Sequence, residues 1–237
     1  PLHRKTALYY AAGIALAQIY WVGLLFSQPL LIEVVFFACF AGGVLLELAV
    51  PVLAENQGVT TWHRHHIIER YGLLNIIVLG ETLLAGSMAL GKAADGGLDL
   101  DLIQLAGCSL VILFSLWWLY FSKEDHLREQ RFDLAFNWGY GHLLIYASGA
   151  AVGAGFAALV DIMTDHSKVD LQVGNYAVAL PTALYLMGLW FVRDRYVLAG
   201  FKRHVLLLFS ALIMVAPLHF GLAGVAGLVL LSVIVRS

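Results

Sequence analysis

The chain has 237 residues, of which 61 % are hydrophobic types and only 13 % are charged, against about 45–50 % and about 25 % in soluble domains; its mean hydropathy is +0.82. A fold of this size has too little interior to hide so many apolar side chains from water, which excludes an ordinary soluble enzyme, a disordered chain and a fibrous repeat and leaves lipid as the solvent. The net charge of −2 provides no basic excess, so nucleic acid is excluded as a partner and the lipid bilayer is the expected one.

A hydrocarbon core about 30 Å thick takes about 20 residues of helix, and open strands cannot cross it with their backbone groups unsatisfied. Eight candidate spans follow in chain order, near 7–26, 29–50, 65–90, 100–121, 134–159, 175–193, 204–217 and 220–235. The expectation is an all-α, polytopic membrane helical bundle in which residues 1–237 form a single transmembrane domain. The opening Pro-Leu-His-Arg-Lys imitates a signal peptide, but Ala7 to Phe26 is long enough to span and runs straight into further apolar sequence, so it reads as a retained helix. A start at Pro1 without Met suggests processing or truncation, with elements expected upstream.

Basic residues test the count, because Lys and Arg gather in cytoplasmic loops. With eight spans, all of the fourteen except Lys92 and Lys168 fall on one side, including Arg4, Arg64, Arg128, Arg193, Arg195, Lys202 and Arg236. The spacing therefore predicts that both termini are cytoplasmic. Trp62, Trp117, Trp118, Trp138 and Trp190 lie near the predicted cytoplasmic helix ends and Trp21 near the other, as interfacial rings should. Gly149-Ala-Ala-Val-Gly153 on the fifth span is a close-packing signal. Cys39 and Cys108 sit inside apolar runs, where they read as small buried hydrophobes.

Ionisable groups inside spans must face protein or water and are functional candidates by default. They are Glu33 and Glu47 on the second span, Glu69, Arg70 and Glu81 on the third, and His142 on the fifth; Glu33, near its helix start, reaches the headgroups. At 100° per residue Arg70 and Glu81 differ by only about 20° around the helix and by about 16 Å along it, so they share a face without touching. His66, Leu74 and Ile77 lie on the same stripe. The depth of Glu47 suggests a pair with Arg70, while Gln18, Asn75 and His142 are the available partners for Glu81. His63, His65, His66 and Glu69 form a weak metal candidate, since His65 and His66 stand at i,i+4 and i,i+3 to Glu69 but no second ligand pair follows at a known spacing. No phosphate loop, HExxH or GxSxG is present, which argues mildly against an enzyme and names no cofactor.

The stretch His66-Ile-Ile-Glu69-Arg70-Tyr-Gly72-Leu-Leu-Asn-Ile-Ile-Val-Leu-Gly80-Glu81 resembles the H-x-x-E-R-x-G-L-x-x-I-I-x-L-G-E signature of the bacterial low-temperature-requirement A (LtrA) membrane proteins. Phe136 to Ala158, with its aromatic entry, His142 and Gly/Ala run, is similar to a later region of that family. The resemblance implies a multi-pass protein of the bacterial inner membrane and, because family members are typically longer with an acidic first helix, an N-terminal part outside this chain. It supplies no agreed activity. Three functions are carried forward: a proton-linked or small-solute transporter or channel with a polar path along helix 61–91, formed by Glu81, Arg70, Glu69, Glu47, His142 and Gln18; a structural or assembly subunit in a homo-oligomer or larger membrane complex; and a metal- or cofactor-binding membrane enzyme.

Overall fold

The computed structural model describes residues 3–58, 63–95, 99–122 and 132–237. Trp62, Lys123, Arg128 and Arg131, expected at the cytoplasmic face, lie outside the described residues. Nine α-helices are found among the described residues, with no strand: α1 (Arg4–Ser27), α2 (Glu33–Glu55), α3 (Arg64–Asp95), α4 (Leu100–Phe121), α5 (Phe132–Met163), α6 (Leu171–Leu189), a single turn α7 (Arg195–Val197), α8 (Val205–Val215) and α9 (Gly221–Arg236). Seven helical segments, counting the short 3₁₀ turns and α7 that extend some of them, are long and apolar enough to cross a membrane, and α9, with 16 residues, is a shorter apolar helix. The protein is an all-α polytopic helical bundle.

The boundaries follow from local chemistry. Asp99 opens α4 by accepting from the backbone N–H groups of Asp101 (2.9 Å) and Leu102 (3.4 Å), and Asp170 opens α6 by accepting from that of Gln172 (2.7 Å), as side-chain oxygens do for the orphan donors of a first turn. Gly221 enters α9 with φ +54°, a conformation that disfavours any Cβ. The second span was expected to stop at residue 50, yet α2 runs through Pro51 to Glu55. A proline removes one backbone bond, and membrane helices tolerate this where neighbours re-satisfy the freed group.

The chain divides into two compact units, residues 1–63 and 64–237. In the first, α1 and α2 form a hairpin whose contact is made by glycine: a Cβ on Gly43 would lie 2.7 Å from the rings of Tyr20 and Trp21, and one on Gly13 would lie 2.8 Å from Val50. The Tyr20 hydroxyl donates to the Cys39 carbonyl at 2.6 Å, Thr6 to that of Gly58 at 2.8 Å, and Tyr10 to the Glu55 carboxylate at 3.0 Å.

In the second unit α5 packs between α3 and α6, α3 also lies on α4, and α8 and α9 close the bundle against α6 and α4. Lipid is as apolar as leucine, so association rests on close approach and hydrogen bonds more than on hydrophobicity. The small residues of α5 serve that purpose: a Cβ on Gly153 would stand 2.9 Å from the Glu81 Cβ of α3, one on Gly149 2.8 Å from Val78, and one on Gly155 would overlap the Ala177 carbonyl of α6. Ser210 of α8 donates to the Ala183 carbonyl of α6 at 3.0 Å. Outside this interior the surface is made of large apolar side chains such as Ile77, Leu100, Phe114 and Ile234, as a lipid-facing surface requires.

Candidate functional site

Two sets of polar side chains stand inside apolar surroundings in the second unit. The first is on α3. Gly72, Asn75, Leu79, Thr82 and Gly86 are buried against the bundle, while His66, Arg70, Leu74, Ile77 and Glu81 are all exposed, so the stripe inferred from the 100° periodicity is the outward one. Within its unit the Glu81 carboxylate has no hydrogen-bond or ion-pair partner among the described residues. Asn75, a candidate partner for Glu81, lies on the other side of the helix: its amide donates to the Tyr185 hydroxyl at 2.9 Å and its carbonyl accepts from it at 3.1 Å. Near the start of α3, His66 Nδ1 stands 3.9 Å from the Glu69 carboxylate, both well exposed. Among the described residues no group of three His, Cys, Asp or Glu side chains is close enough to hold a metal ion.

In the first unit Glu47 is exposed on α2 and is held from α1, accepting from Trp21 Nε1 at 3.2 Å and Gln18 Nε2 at 3.4 Å. Gln18 therefore meets Glu47, and its exposed position on α1 follows the same outward pattern.

The second set is buried. His142 is fully enclosed, with its ring among those of Tyr71, Tyr120, Trp138 and Tyr146. Nδ1 lies 2.7 Å from the Trp138 carbonyl and Nε2 3.0 Å from the Tyr120 hydroxyl. A carbonyl only accepts, so Nδ1 carries the proton and a neutral His142 accepts from Tyr120 at Nε2. The Tyr146 hydroxyl donates to the Tyr71 carbonyl at 3.0 Å. His142 is thus brought together with aromatic hydroxyls and not with Glu81.

The backbone carbonyl of the same Tyr120 accepts from Arg193 Nη1 at 2.8 Å. Arg193 and Asp194 are both fully buried and Arg236 nearly so. The Asp194 carboxylate accepts from Arg193 Nε (2.9 Å), Arg236 Nε (2.7 Å) and Arg236 Nη2 (2.8 Å), and Arg236 Nη1 donates to Ser122 Oγ at 3.1 Å. Two guanidinium groups share one carboxylate, and Arg193 Nη2 has no hydrogen-bond partner among the described residues. The residues are assembled by a π turn, Trp190–Asp194, which follows α6; such wide turns re-aim side chains inside otherwise regular helices. The cluster joins the C-terminal ends of α4, α6 and α9, the same ends that the eight-span reading puts on one face.

Charge counting reads Arg193 and Arg236 as solvated loop residues and passes over Asp194. The available signal was an acidic residue between two arginines, Arg193-Asp194-Arg195, continuous with an apolar span instead of separated from it by a turn. Arg195 itself lies 3.8 Å over the Phe191 ring, a cation–π contact.

Comparison with known proteins adds one finding. The model of a family described as bacterial low temperature requirement A protein (LtrA) matches residues 1–236. No curated protein and no solved structure matches the chain.

Proposed function

Because the chain belongs to the bacterial low temperature requirement A (LtrA) family, whose name describes a growth requirement and not a reaction, we propose from its side chains that it is an inner-membrane transporter or channel for a proton or small solute. Its polar path runs along α3 within 61–91, and both termini lie in the cytoplasm. One observation carries this reading: Glu81 and Arg70 occupy the same outward stripe, about 16 Å apart along the axis, among exposed leucine and isoleucine side chains. Ionisable groups at such depth persist only where water or polar groups face them, and carboxylates at successive depths are what a stepwise path uses. His142 with Tyr120 and Tyr146 supplies a second, buried run of exchangeable protons on the neighbouring helices.

The test is flux in proteoliposomes, with a pH-sensitive dye inside and purified protein carrying Glu81→Gln compared with the native chain. A loss of proton or solute flux of at least tenfold in a variant that still folds is expected; equal flux in the two overturns Glu81's part in it. A second reading, a subunit of a larger membrane complex, is favoured by the outward direction of that same stripe. Native mass spectrometry separates the two, since stoichiometric protein partners with no flux from the isolated chain support assembly.

A further inference from the structure

The short connection after α6 joins two crossing segments, Leu171–Val197 and Gly200–Leu218, and so lies at the level of the lipid headgroups. It is built from α7 and a 3₁₀ turn, Gly200–His204, which packs on α7, on the π turn and on α8. Gly200 enters that turn with φ +60°. Three cations gather here: Arg195, half-buried, and Lys202 and Arg203, both exposed. No hydrogen bond or ion pair joins any of them to another described residue. Arg195 Nε is hidden from solvent and still has no acceptor among those residues.

Charge and ring placement together select the partner. From Arg195 to Ser237 the sequence contains no Asp or Glu. On the π turn, α7 and α8 the one carboxylate is that of Asp194, which is buried and taken up by Arg193 and Arg236. The carbonyls closing α7 and the N–H groups opening the 3₁₀ turn, which no side chain caps, meet across Leu198 and Ala199. Helix-end charges of opposite sign offset one another, so the three side chains set the sign of the surface. The Arg195 guanidinium is held 3.8 Å over the Phe191 ring and 4.4 Å from the centre of the Tyr196 ring, a pre-ordered planar fork of the kind that binds phosphate through two hydrogen bonds. A free phosphate ion leaves the rings of Tyr196 (48 % exposed) and Phe201 (66 % exposed) in water. A phospholipid covers them, at the depth where aromatic side chains settle in membranes.

We infer that the connection Arg195–His204 is a docking surface for an acidic phospholipid, with its phosphate on Arg195, Lys202 and Arg203 and its glycerol and upper chains against Tyr196 and Phe201. Each such cation strengthens attachment of acidic lipid about fivefold. The surface is separate from the α3 stripe and does not rest on the transport reading.

Native mass spectrometry of the full chain tests it, with the protein released from detergent micelles that carry palmitoyl-oleoyl phosphatidylglycerol or phosphatidylcholine of the same chains. Phosphatidylglycerol should be retained at least tenfold more than phosphatidylcholine. Lys202→Gln combined with Arg203→Gln should cut that preference at least fivefold, and Arg195→Gln added to them should abolish it. Both side chains of the double variant are exposed and unpaired among the described residues, so its fold does not depend on them and it decides the matter even where the triple variant fails to fold. Lys168→Gln removes a cation that stands between Asp165 and Asp170 in the connection at the other end of α6, and should leave the preference unchanged. Equal retention of the two lipids, an undiminished preference in the double variant, the same loss from Lys168→Gln, or displacement of phosphatidylglycerol by soluble glycerol 3-phosphate overturns the assignment.

Discussion

Replacing Asp194 with asparagine keeps its size and leaves two guanidinium groups facing one another inside the bundle. In the native chain the carboxylate accepts three charge-assisted bonds, from Arg193 Nε and from Arg236 Nε and Nη2, all within 2.9 Å. Removing one partner of a buried ion pair costs about 3–5 kcal/mol, because the surviving charge is left uncompensated. Here the cluster changes from one excess positive charge to two, which places Asp194→Asn at the upper end of that range. Arg236→Met does the opposite: it removes the excess cation, keeps Arg193 and Asp194 as a balanced pair, and loses hydrogen bonds to a charged group worth about 1.5–3 kcal/mol. The double variant should be more stable than the sum of the two single losses implies, since Arg236→Met removes one of the two cations that Asp194→Asn leaves uncompensated. Unfolding by SDS in mixed micelles, followed through the fluorescence of the six tryptophans, reads all three. An Asp194→Asn protein as stable as the native one, or less damaged than Arg236→Met, would refute the view that a shared carboxylate holds these helix ends together.

Three further outcomes are expected in the same assay. Tyr120→Phe keeps the ring but takes the donor away from His142 Nε2, leaving a buried acceptor unpaired at a cost of about 1–3 kcal/mol. Gly155→Ala forces a methyl group onto the Ala177 carbonyl of α6 and should cost about 1–3 kcal/mol as the helices part. Gly107→Ala on α4, with open space at its Cβ, should instead gain up to about 1 kcal/mol from helix propensity.

Much of the architecture is legible from residue types alone, because lipid imposes length and hydropathy on every crossing segment. The same-face relation of Arg70 and Glu81 follows from the helical repeat, as does the use of Gly149 and Gly153 for close contact. Periodicity cannot give the direction in which a stripe points, since an all-apolar helix presents similar side chains to lipid and to its neighbours. Hence the partners of Asn75 and His142 were unreadable: both turn toward tyrosines, Tyr185 lying 110 residues from Asn75 in the chain. Arg193, Asp194 and Arg236 escaped for a different reason. The rule that assigns basic residues to the cytoplasmic face describes where they sit along the membrane normal, not whether water reaches them, and a contact between positions 42 residues apart leaves no local pattern.

The wide turn at Trp190–Asp194 works as a phase shifter within one continuous rod. Upstream, the angular setting is dictated by Tyr185 against Asn75 and by Gly188 against Ile145; downstream, it is dictated by where Asp194 must meet Arg236. A regular α-helix advances by 100° per residue and would oblige one of these two settings to yield. Five residues wound at a looser pitch let each half keep its own bearing, so a change in the length of this segment would misdirect Asp194 even with every side chain kept.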